Sequence, residues 1–142
     1  MTQPNKTPRS PYEKVGGLYY LGRCIDKIRY RQAGTLRPDF YELMGKGFDG
    51  RIMGFLELDY AKFADFVLTG ASDDECFAYC HNNGRKLNEL NVLIWNDFSS
   101  KRGWRDGASE LLEKFKAESG LQARSDLVTL FEYWEVDEGR KP

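Results

Sequence analysis

Apolar side chains recur at three- or four-residue spacing in five separate stretches of this chain, and that rhythm restricts it to packed helices. Tyr60, Phe63, Ala64 and Val67 make one full stripe, with Asp59 placed to cap it and Gly70 to stop it. Ser72-Asp73-Asp74-Glu75 has the capping-box pattern and opens a helix that should run to Gly84. Asn88 caps the next, which carries Leu90, Ile94 and Phe98 on one side and ends at Gly103. Ala108, Leu111, Leu112 and Phe115 form a further stripe closed by Gly120. Ser125 then begins a last one with Leu127, Leu130, Phe131 and Trp134. Neither β-branched alternation nor an internal repeat is present.

At the front, Ser10-Pro11-Tyr12-Glu13 combines a capping serine, a proline at the first helical position and a glutamate able to reach back. Leu18, Leu21, Cys24, Ile25 and Ile28 follow on one face, with Gly34 as the stop. Gly16, Gly17 and Gly22 weaken this helix by up to about 1 kcal/mol each and permit a close neighbour. From Thr35 to Leu58 glycines interrupt every apolar piece, so the expectation is an irregular crossing. The resulting fold is all-α: a single globular domain of five to six helices over residues 10–142, with a Gly-rich crossing between the first and second. Residues 1–9 read as a mobile arm, and the charged tail from Glu135 as a frayed end.

Composition narrows the function classes. A chain of 142 residues with 41% apolar and 14% aromatic side chains has the bulk for one core and needs neither disulfide nor metal. Its 21 basic and 22 acidic residues give a net charge of -1, without the basic excess typical of nucleic-acid binders. No run approaches the roughly 20 apolar residues of a membrane helix, and Met1 to Arg9 lacks a signal-peptide core, so the expected location is cytoplasmic. Cys24, Cys76 and Cys80 are then expected as reduced thiols.

Ser10-Pro11-Tyr12-Glu13-Lys14-Val15-Gly16-Gly17-Leu18, followed by Gly22-Arg23 and Asp26-Lys27, resembles the opening of a small bacterial family of domains of unknown function. Gly45-Lys46-Gly47-Phe48-Asp49-Gly50-Arg51, Ser72-Asp73-Asp74-Glu75 and Trp95-Asn96 are similar to its later parts. The resemblance spans nearly everything after Arg9. It implies a bacterial, stand-alone, soluble domain, and it brings no catalytic residues to transfer.

Three constellations could carry a site. Tyr19, Arg23, Asp26, Lys27 and Tyr30 share one side of the first helix, as a ligand face or an exposed ion-pair face. The glycine loop around Lys46, Asp49 and Arg51 could cradle an anion or be a plain turn. It has neither the spacing of a phosphate-binding P-loop nor that of an acidic calcium loop. Trp95, Arg102, Trp104 and Arg105 could form a stacking corner, or a helix end with Trp104 plugging the core.

Cys76, Cys80 and His81 invite a metal reading that their angular spread and the lack of a fourth ligand oppose, so no metal and no cofactor are expected. No serine-hydrolase elbow is present. The candidate ligand residues are thus Tyr19, Arg23, Asp26, Lys27, Asp49, Arg51, Trp95, Arg102 and Trp104. They serve a helical binding module for a small anion or a protein partner, without nucleic acid or membrane. The alternative is a metal-independent enzyme using Asp or Glu as acid or base. A homodimer through Tyr12, Tyr19 or Tyr133 is a third possibility.

Overall fold

Where apolar rhythm and a side-chain cap coincide, helices begin at the expected residue. In the computed structural model, which describes residues 3–142, these are α3 (Tyr60–Val67), α4 (Asp73–Asn83) and α5 (Glu89–Lys101). Asp59 accepts from the Lys62 amide, and Ser72 with Glu75 and Asn88 with Asn91 form reciprocal capping boxes. The others are α1 (Leu21–Ala33), α2 (Gly47–Leu56), α6 (Ser109–Glu118) and α7 (Leu130–Asp137), and Pro38–Phe40 forms a single 3-10 turn. The described residues are all-helical with seven α-helices, where five or six were expected.

The additional helix is α2, in the stretch expected as an irregular crossing. Its buried stripe is Asp49, Ile52, Met53 and Leu56, which has full helical spacing but starts on a carboxylate. That polar member, with Gly50 and Gly54 on the exposed side, hid the periodicity.

Helix α1 begins eleven residues after Ser10. Between them Val15 and Leu18 exchange two backbone hydrogen bonds around Gly16 and Gly17, both at positive φ (60° and 81°), so the two glycines form a tight reversal that no helix can cross. At the other end α7 starts at Leu130, capped by Thr129, rather than at Ser125.

A large core joins α1 to α5 with Phe131, and a smaller one gathers Ala108, Leu112, Leu130 and Tyr133 between α6 and α7. Phe48 and Trp134 pack against both. Helix α5 buries Trp95 and Ser99 and leaves Leu90, Leu93, Ile94 and Phe98 exposed, the reverse of the side its stripe suggested. Trp95 enters the large core from this face with its indole N–H on the Tyr19 carbonyl, and the adjacent Asn96 amide donates to the Gly17 carbonyl and accepts from the Tyr19 amide, fastening α5 to the glycine reversal.

The tail does not fray. The Glu138 carboxylate is fully buried against Arg23, and Arg140 bonds Glu135, Glu138 and the Pro8 carbonyl. Within the stretch expected as an arm, Lys6 pairs its backbone with Thr35 and Arg37, and Arg9 binds Asp26 and Asp73. Among the described residues no helix is long and apolar enough to cross a membrane.

Candidate functional site

A recess of about 560 Å³ opens along the seam between the two cores. Its size falls within the roughly 300–1,000 Å³ of small-molecule sites. Helix α1 supplies its cationic floor. Arg23 is 1% exposed and grips Glu138 in a two-pronged pair (2.7 and 2.9 Å), with its guanidinium 4.7 Å from the centre of the Trp134 ring. One turn on, the Lys27 ammonium lies 2.8 Å from Asp49 and donates to the Tyr20 hydroxyl, which itself donates to Asp49 at 2.6 Å.

Tyr20 holds this cluster at a backbone cost, since its φ of 74° lies in the left-handed region that disfavours side chains with a Cβ. Burial, with the Asp49 charge behind it, pushes its hydroxyl well above the ordinary tyrosine range, so it stays a neutral donor.

The second wall is the N-terminus of α2. Lys46 provides no side-chain cap, and the amides of Gly47, Phe48 and Asp49 have no hydrogen-bond acceptor among the described residues. Such an end carries the equivalent of about half a positive charge. Phe40, Phe48, Phe115 and Trp134 complete the recess with partly exposed aromatic faces.

Charge around the recess is unequally paired. Arg37 holds Asp39 and Asp137, Arg102 reaches Asp106 at 3.4 Å, and Lys114 sits 4.0 Å from Glu118. Lys46 and Arg51, both exposed, have no carboxylate within 4 Å among the described residues. The Nε of Arg23 is buried without a hydrogen-bond partner among the described residues, while its two terminal nitrogens hold Glu138 and the Arg9 carbonyl. Seven basic residues line the recess against four acidic ones, and three further carboxylates, Glu138, Asp49 and Asp106, pair with Arg23, Lys27 and Arg102, so the charge around it is balanced overall and free only at its exposed cations.

Of the nine candidates, the structure gathers five here. Arg23, Lys27, Arg51 and Arg102 line the recess, and Asp49 lies beneath it, fully buried. The other four are elsewhere. Asp26 is taken by Arg9, through its backbone amide and its guanidinium. Tyr19 gives its carbonyl to the Trp95 indole N–H, and Trp95 faces a smaller groove of about 350 Å³ between α2 and α5. Trp104 does not plug the core but stands 49% exposed, with Arg105 over its ring.

The floor residues are buried, not an exposed ion-pair face. Lys46, Phe48, Trp134 and Glu138 join the site without having been among the candidates. Trp134 and Glu138 stand one helical turn apart, a spacing that could have linked them.

The thiols of Cys24, Cys76 and Cys80 are free and buried, and burial raises all three, that of Cys80 to about 12. His81 points to solvent, and among the described residues no group of three metal-binding side chains exists.

Fold and recess together define a class: a small all-helical domain with one cation-floored, aromatic-walled cleft between a major and a minor core. The chain belongs to the family described as Domain of unknown function (DUF5069), whose profile matches residues 5–140. No curated protein matches it.

Proposed function

We propose that this domain is a non-enzymatic binding module of the bacterial cytoplasm that takes up a small anionic ligand in the recess between its two cores. The observation that carries the reading is convergence. Buried Arg23 and Lys27, exposed unpaired Lys46 and Arg51, and the uncapped start of α2 all border one ligand-sized space. The alternative, a metal-independent enzyme using Asp or Glu as acid or base in the same cleft, would draw on Asp39, Glu42, Glu118 or Asp137, the carboxylates that line it.

The test is thermal unfolding with a panel of phosphates, carboxylates and nucleotides, with and without chelator. A ligand at 100 times its Kd adds about 2.7 kcal/mol to the native state. An anion-dependent rise in Tm that survives chelator and shrinks in Arg51→Ala is expected. A panel with no shift at all would sink the proposal.

A second reading rests on a different surface. Leu90, Leu93, Ile94 and Phe98 form an exposed apolar row on α5 beside the 350 Å³ groove, the kind of patch that proteins use for partners. Tyr12, Tyr19 and Tyr133, the aromatics of the possible homodimer, also make ring contacts within the fold. Light scattering of the wild type and of Ile94→Lys checks whether the α5 row mediates self-association.

A further inference from the structure

We infer that two copies of this chain pair through α5, each laying its exposed apolar row into the groove between α2 and α5 of the other. This deepens the reading of the α5 row as a contact surface and is independent of the anion recess.

Leu90, Leu93, Ile94 and Phe98 follow one another at helical spacing and are between 39% and 59% exposed. Apolar side chains scattered singly on a surface are ordinary, but a contiguous row marks a contact. Phe55 and Trp95, stacked with centroids 5.0 Å apart, continue the row as the floor of the 350 Å³ groove. The α2 wall of that groove is bare. Gly50 and Gly54 stand one turn apart there, inside the helix and without a positive φ. A Cβ at Gly54 would meet nothing within 4 Å, and one at Gly50 would only touch the Gly45 carbonyl at 3.4 Å. Glycine costs a helix stability relative to alanine, and nothing within the chain requires it at Gly54. What the missing side chains leave is room for a second backbone to approach α2.

Row and groove share α5, so one molecule displays both halves of a complementary pair side by side. That is what a two-fold contact needs, in which residue i meets j and j meets i. Ile94 is the midpoint of the row. With two α5 helices antiparallel across an axis beside it, Ile94 faces its own copy and Leu90 faces Phe98 at both ends.

Charge fixes the direction. Glu89, in the first turn of α5, is exposed and has no basic group within 4 Å among the described residues. The last turn is basic: Lys101 is exposed with only Asp97 at 3.8 Å, and Arg102 follows over the Phe98 ring. An antiparallel pair brings each acidic start to the other's basic end, whereas a parallel pair sets like against like. Lys86, the opposing cation near the acidic start, precedes the cap Asn88 and lies off the helix. One helix and one groove fall short of the roughly 20–30 residues a side of a standard interface, so the pair is weak and reversible.

Sedimentation equilibrium of the full chain at low salt, over a hundred-fold range of concentration, tests this. Monomer should exchange with dimer and with nothing larger, because a two-fold contact closes. Gly54→Gln fills the groove from a position with no neighbour. It should weaken dimerisation at least ten-fold while the melt of the dilute monomer holds or rises. Glu89→Lys and Lys101→Glu should each weaken it, and an equimolar mixture of the two should restore it, since both ends of the mixed pair are again opposite in sign. Should Gly54→Gln misfold, Gly54→Ala gives the same reading at smaller amplitude.

A chain that stays monomeric throughout overturns the pairing and leaves the anion recess, read by thermal shift, untouched. Dimerisation that resists Gly54→Gln but falls to Ile94→Lys keeps the row and overturns the groove. Dimerisation that resists both sinks the α5 reading as well. A mixture that fails to rescue overturns the antiparallel direction.

Discussion

Arg23 and Glu138 show how far a single pair can depart from the surface ion pairs that a charged sequence suggests. Both side chains are essentially sealed, at 1% and 0% exposure, and a buried pair is far costlier to break than an exposed one. The two partners are not equivalent. Without Arg23, Glu138 keeps Arg140 at 2.7 Å, whereas without Glu138 the Arg23 guanidinium retains only the Arg9 carbonyl at 3.2 Å. Glu138→Ala should therefore cost about 3–5 kcal/mol in urea denaturation, and Arg23→Met clearly less. Equal losses would mean that Arg140 contributes nothing.

Arg23, Lys27 and Asp49 were legible in the sequence as potential site residues. The burial of Arg23 was not, because it comes from Trp134 and Glu138, more than a hundred residues further along the chain, and that of Lys27 and Asp49 comes from their pairing with each other and with Tyr20. Trp95 and Trp104 misled for a related reason: an aromatic at a helix end is read equally well as a core plug or as a surface wall. Here Trp95 is the former and Trp104 the latter.

Local capping chemistry was the most readable feature among the elements, because it acts over three residues. Ser72→Ala should remove one side of the α4 capping box and cost about 1 kcal/mol in the Tm-derived stability, with the fold intact. The glycine reversal before α1 is less forgiving. A Cβ at Gly16 would lie 2.1 Å from the Phe77 ring, on a residue with a φ of 60°. Gly16→Ala should therefore destabilise by several times the ordinary ~1 kcal/mol of a point mutation. A loss below 1 kcal/mol would show that Phe77 can swing away.

Helix α2 escaped sequence reading because its stripe opens on a buried carboxylate, and α5 was turned the wrong way because the single indole of Trp95, with the Asn96 amide beside it, faces the core in place of its leucines. Periodicity finds a helix. It does not say which side is covered when one large aromatic outweighs several aliphatics.

For the whole molecule, the acid limb of stability is set by ties between distant segments. The Arg9 hydrogen bonds hold Asp73 below the usual carboxylate range, outweighing the opposing effect of burial. Asp106 is lowered too: burial pushes it up, but the amides of Ala108 and Gly103 overcome that. A carboxylate whose folded pKa is depressed stabilises the native state above its ordinary value, near 4, and that contribution is lost as pH falls through the lowered one. Chemical denaturation at pH 6 and pH 3 should show the wild type losing stability on acidification. Arg9→Ala, already lacking the tie to Asp73, should lose less over that interval.

The clasp between Glu138 and Arg23 also bears on the order of events during synthesis. The helices bearing the floor cations leave the ribosome long before Glu138 does, so a nascent chain can assemble most of the major core while Arg23 still lacks its counter-charge. Closure of the Arg23 pair is then reserved for chains translated through α7, and a polypeptide that stops short of Glu138 should fold in part yet leave the recess floor without its counter-charge.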